Sequence, residues 1–150
     1  MLDDWDQFLK GIELFNQEEF YDCHDIIEEI WLQESSDEQP FLQGLIQSAV
    51  AFHHYQHGKL GAARSMLGLA IEKLKGYPET HHQVLLKEFL AGLRAWKAGL
   101  DEAIFLKTER PIPKAYPRIE MKISGALPCG SPILCTLESS GLERYPFLSL

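Results

Sequence analysis

The sequence predicts an all-α fold, a compact bundle of about five helices (two helical hairpins plus one) with an irregular C-terminal arm. Three observations carry this. Apolar residues recur at three- and four-residue steps through the first two-thirds of the 150-residue chain. Composition is that of a globular protein, 45% hydrophobic and 24% charged. After Thr108 the helical period stops, and ERPIPKAYPRIEMKISGALPCGSPILC carries five prolines. Residues 1–107 therefore read as a helical bundle domain. Residues 108–150 read as a Pro-rich extended arm, apolar enough to pack on the helices and not an independent domain.

Trp5, Phe8, Leu9, Ile12 and Phe15 form the stripe of a first helix, interrupted at Asn16-Gln17. Phe20, Cys23, Ile26, Ile27, Ile30 and Trp31 form a second, with Glu18 and Glu19 suited to its positive N-terminal end. QESSDEQP is a loop, and Pro40 fits the first turn of a third helix over about 40–57. That helix is apolar on most sides, as a central helix should be. Gly58 stops it. A fourth helix spans about 60–75 and ends at Gly76-Tyr77-Pro78. A fifth is predicted over about 80–98, with Gly99 as a break or kink before a short continuation to about 107. Tyr116 to Ile123 reads as a short strand or extended arm. The stretch from Leu14 aligns with the stretch from His54 at an offset of 40, each a helix end, a polar corner and a new helix.

The net charge is −8 and uneven. Residues 1–40 hold 13 acids against one lysine, whereas residues 41–109 hold 6 acids against 8 bases. This argues against a nucleic-acid or anionic-membrane binder, which needs a basic face, and suits a basic partner or head-to-tail self-assembly. No apolar run reaches 18 residues and the N-terminus has no signal-peptide pattern, so a cytoplasmic protein is expected. Cys23, Cys129 and Cys135 form no disulfide framework, and the Cys129-x5-Cys135 spacing fits no zinc knuckle.

The densest polar cluster is His24-Asp25-Ile26-Ile27-Glu28-Glu29-Ile30-Trp31. His24 and Glu28 share a helix face and Trp31 follows along it. On the third helix Gln43, Gln47 and His54 make a polar line, with His53 and His57 rotated slightly from it. If the two helices pack as a hairpin, an internal cluster of His24, Glu28, Gln47 and His54 is expected. His81-His82 is expected to be exposed at the start of the fifth helix.

The block H-D-x-x-E-E-x-W from His24 to Trp31 is followed by F-L-Q-G-L-I-Q-x-A from Phe41 and G-x-x-G-A-A from Gly58. Together they resemble a bacterial and archaeal family catalogued as domain of unknown function 309, over roughly residues 8–78. That resemblance implies a small all-helical bundle with the pattern H-E-x-x-E-x-x-W and then G-L-I-Q. It marks His24, Glu28, Trp31, Gln43 and Gln47 as the signature polar residues. Asp25 stands where the family pattern has Glu; it keeps the charge and reaches less far.

Two functional classes follow. In one, His24 and Glu28 form a buried hydrogen-bonded pair with Gln43 or Gln47 inside a non-enzymatic helical module for protein interaction or self-assembly. In the other, a divalent metal sits on His24, Glu28 and His54 or His53, with Asp25 or Glu29 as base, in a metal-dependent hydrolase. A ligand pocket walled by Trp31 and Tyr55 is a third arrangement. No cofactor is required by any motif, and the nucleotide-loop and nucleophile-elbow signatures do not occur.

Overall fold

The side chain of Asp4 accepts from the backbone N–H of Gln7 at 3.3 Å and so caps the first helix, α1 (Trp5–Asn16). The computed structural model describes residues 4–107 and 115–122. Among these the remaining helices are α2 (Phe20–Gln33), α3 (Gln39–Gln56), α4 (Leu60–Leu74) and α5 (Leu86–Leu106). A two-residue antiparallel hairpin, β1 (Thr80–His81) and β2 (Val84–Leu85), precedes α5. The fold is all-α, and no described helix is long and apolar enough to cross a membrane.

The α1–α2 and α3–α4 corners are built alike, at the offset of 40 seen in the sequence. Glu18 and Gly58 both take left-handed backbone, with φ of 67° and 77°. The amides of Glu19 and Lys59, one residue on, each return to a carbonyl five residues back, Leu14 and His54, at 2.9 Å. This is the αL helix end that glycine favours, and Glu18 adopts it with a Cβ in the way.

The central helix is α3, which packs on α2 and on α4. Its Phe41, Leu42, Leu45, Ser48, Ala49, Ala51 and Phe52 are buried. Ser48 is satisfied locally, its hydroxyl donating to the Gly44 carbonyl at 2.9 Å. Gly44 is needed for the approach of α4: a Cβ there would lie 2.6 Å from Leu74 Cγ and Cδ2. Phe15, Phe20, Phe52, Phe89 and Trp96 join four helices through mostly edge-to-face ring contacts, such as Phe15 on Phe20 at 5.0 Å.

The described part of the C-terminal arm is extended and packs on this aromatic core. Tyr116 stacks on Trp96 at 5.2 Å, and the Trp96 indole N–H donates to the Ala115 carbonyl. Asn16 clamps the same segment with both ends of its amide, donating to the Ile119 carbonyl and accepting from the Ile119 N–H. Met121 bridges to Val84 of β2. Ile123 and the pair Cys129 and Cys135 lie outside the described residues.

Two expectations are corrected. The fifth helix starts at Leu86, because residues 80–85 form the hairpin and Val84 is fully buried against the arm. Nor does Gly99 break α5. The stripe Leu93, Trp96, Leu100 and Ala103 is buried on both sides of it, and that burial outweighs the roughly 1 kcal/mol helix penalty of one glycine.

Candidate functional site

The His24 motif of α2 lies beside Val50 and His53 of α3. His24 is the hub. Its Nε2 lies 3.5 Å from Glu28 Oε1 and its Nδ1 3.5 Å from Asp25 Oδ1. The Nδ1 atom is buried and lacks the alignment of a hydrogen bond to that carboxylate. The ligand atoms of His24, Asp25 and Glu28 all fall within 4.8 Å of one another. Beside this imidazole, Phe20, Tyr21, His24, Val50 and His53 line an apolar cavity of about 160 Å³. Tyr21 bridges the two imidazoles, with ring centres 5.6 Å from His24 and 5.4 Å from His53.

His53 belongs to a histidine group at the C-terminal end of α3, with the His57 ring 4.3 Å away and the His54 ring 6.3 Å away. Burial lowers its pKa first, and His57, His54, His24 and Lys59 lower it further by repulsion. The imidazole facing the cavity is thus held neutral to lower pH than an ordinary histidine. Exposed Asp25 and Glu28 flank His24 on α2, whereas Glu29 is turned toward α1, where it accepts from Gln7 Nε2 at 2.8 Å.

The internal His–Glu–Gln cluster does not form. Glu28 and Asp25 are 50% and 56% exposed, and among the described residues no hydrogen bond joins His24 or Glu28 to Gln43, Gln47 or His54. The spacing is right but the rotation differs, since α3 turns Val50 and His53 toward α2. His53 therefore takes the place expected of His54. Gln47 is buried with its Oε1 unpaired, and the Trp31 indole Nε1 is likewise buried and unpaired. Trp31 and Tyr55 do not wall one pocket. Trp31 sits at the start of α3, where its carbonyl accepts from Gln39 Nε2, while Tyr55 packs on Trp96 near the other end. Cys23 next to His24 is turned into the core, and burial pushes its thiol pKa up, so it is no nucleophile.

Residues 8–66 match the profile of the family described as Domain of unknown function (DUF309). The family suspected from the motifs is the one matched. No curated protein and no solved structure is significantly similar to the chain. The DUF309 segment starts within α1 and ends within α4, so it contains α2, α3 and all the α2–α3 site.

A second polar cluster falls partly outside the DUF309 segment, and sequence reasoning missed it. Glu38, His81 and His82 bring their ligand atoms within 4.8 Å of one another. Neither histidine is exposed as expected, with side chains 21% and 10% accessible. The adjacent pair between Pro78 and the apolar Val84-Leu85 was the available signal. What the sequence did not indicate is the hairpin that folds it onto Glu38.

A larger depression of about 490 Å³, lined by Arg64, Ser65, Gly68, Leu69, Glu72 and Lys97, lies on the α4–α5 side. It is a shallow surface feature with no motif residue in its wall.

Proposed function

We propose that the chain is a non-enzymatic interaction module whose α2–α3 face receives a basic segment of a protein partner, anchored by one apolar side chain. The observation that carries this reading is the apolar cavity between His24 and His53, with the exposed carboxylates of Asp25 and Glu28 beside His24. A volume of about 160 Å³ suits a single aliphatic or aromatic side chain. Asp25 and Glu28, beside His24, supply the complementary charge, and charges of this kind steer association and select partners.

A photo-crosslinking residue replacing the exposed Tyr21 tests the reading. The expected result is a crosslink to a Lys/Arg-bearing segment, in another protein or in a second copy, that disappears when Asp25 and Glu28 are both changed to Lys. Crosslinks that are absent, or that ignore the charge reversal while helicity is unchanged, overturn it.

The grouping of His24, Asp25 and Glu28 favours a second reading, a divalent cation serving hydrolysis. It is supported by one imidazole and two half-exposed carboxylates on a single helix. Metal content that vanishes in His24→Ala would move this reading ahead of the first.

A further inference from the structure

The hairpin before α5 is built with strain. Its two-residue loop is His82-Gln83, and both residues have positive φ, 48° and 65°. Such loops favour Asn and Gly, which tolerate left-handed backbone. His and Gln adopt it here at a conformational cost, and strain of this kind gathers at functional positions. The result is that two consecutive imidazoles, which an ordinary strand would send to opposite faces, converge on one carboxylate. His81 Nε2 lies 3.3 Å and His82 Nε2 2.7 Å from the same oxygen, Glu38 Oε1.

We propose that Glu38, His81 and His82 form a zinc(II) site, with Glu38 Oε1 and the two Nε2 atoms as protein ligands and water in the fourth position. Two imidazoles and one carboxylate are a donor set for zinc, whereas calcium and magnesium take oxygen ligands. Zinc–ligand bonds of 2.0–2.1 Å place tetrahedral donors about 3.3 Å apart. One observed separation, 3.3 Å, matches that edge and the other, 2.7 Å, is shorter, so small side-chain shifts admit the ion.

The scaffold holds these donors without the metal. Glu38 is fixed as the N-cap residue of α3. The Tyr77 hydroxyl donates to the carbonyl of Asp37, next to it, at 3.0 Å. The hairpin is pinned by Leu86 and Lys87 amides on the Glu79 carbonyl and by the Leu85 amide on Glu120 of the arm. Phe41 and Tyr77 rings each stand 4.7 Å from the His81 ring and shield one side of the site from water. The site joins the start of α3 to the entrance of α5 and is independent of the α2–α3 face.

The test is zinc(II) titration of the chelator-stripped full-length chain by calorimetry, with cobalt(II) absorption as a second probe. One equivalent is expected to bind with a tetrahedral cobalt spectrum. His82→Ala and Glu38→Gln, the latter keeping an oxygen acceptor for the hairpin, each alter a direct ligand and should each weaken binding by at least the roughly 10- to 100-fold that loss of an outer-shell partner costs. His24→Ala should leave the affinity unchanged. Should His82→Ala fail to fold, Glu38→Gln decides. The proposal fails if zinc does not bind, if binding persists unchanged in Glu38→Gln, or if it is lost in His24→Ala.

Discussion

Glu38 and His82 stand 44 residues apart in the chain and 2.7 Å apart in space, the shorter of two imidazole contacts on one carboxylate oxygen. Burial raises the pKa of Glu38, but the hydrogen bonds and charges of His82 and His81 outweigh it, and the net shift is downward from 4.5. A carboxylate whose folded value lies below its unfolded one stabilises the fold above the unfolded value. That contribution is lost as pH falls through the folded value. Without metal, therefore, the wild type is expected to lose urea resistance below about pH 4.5 more steeply than Glu38→Gln. Equal slopes for the two proteins would show that the carboxylate is not coupled to the hairpin.

Gly44→Ala is expected to destabilise the protein. Its Cβ would meet Leu74, which is fully buried, at 2.6 Å. Overpacking costs about 1–3 kcal/mol, and the gain in helix propensity of about 1 kcal/mol offsets only part of it. Gly68→Ala is the control, since its Cβ would meet only the flexible Lys97 Cε at 3.5 Å. Chemical denaturation should place Gly44→Ala below the wild type and Gly68→Ala at or above it. A stable Gly44→Ala would mean that α4 can shift on α3 without loss.

The paired corners predict effects of opposite sign. Glu18→Gly removes a Cβ from left-handed backbone, and Gly58→Ala introduces one. The backbone penalty of about 1–2 kcal/mol is partly cancelled by the entropy glycine adds to the unfolded chain. Changes of about 0.5 kcal/mol are expected, stabilising for Glu18→Gly and destabilising for Gly58→Ala. The carbonyl of residue 18 still accepts from Gln56 Nε2 after the change, so that tether is retained. A Glu18→Gly protein less stable than wild type would place some other role on the Glu18 side chain.

The helices themselves were legible in the sequence, because an amphipathic stripe states its period locally. Pro40 and Gly58 mark the two ends of α3, and both fall where their backbone chemistry requires. The shared corner at an offset of 40 was legible as well. Gly44 could be read as part of a motif but not as a packing contact, since only the position of Leu74 makes it necessary. The α2 half of the candidate site was also readable: His24, Asp25 and Glu28 lie on one helix, and their spacing alone sets their neighbourhood.

Tertiary structure decided what lies across from them. The rotation of α3 about its axis, fixed by burial of Phe41, Leu45, Ser48 and Phe52, presents Val50 and His53 to the cavity beside His24, and among the described residues Gln47 and His54 make no hydrogen bond to His24. A difference of one residue in that rotation is about 100°, finer than a pattern of apolar residues resolves. The hairpin is the same lesson at longer range. Local preference favours a helix or an open turn at His81-His82, and the buried Val84 and the arm around Glu120 hold it as a strained loop instead. Helices α1 to α4 and the paired corners at Glu18 and Gly58 follow from residues within a few positions of one another, whereas the entrance to α5 does not. Which polar groups face each other depends on packing between distant segments, and only the folded core sets that.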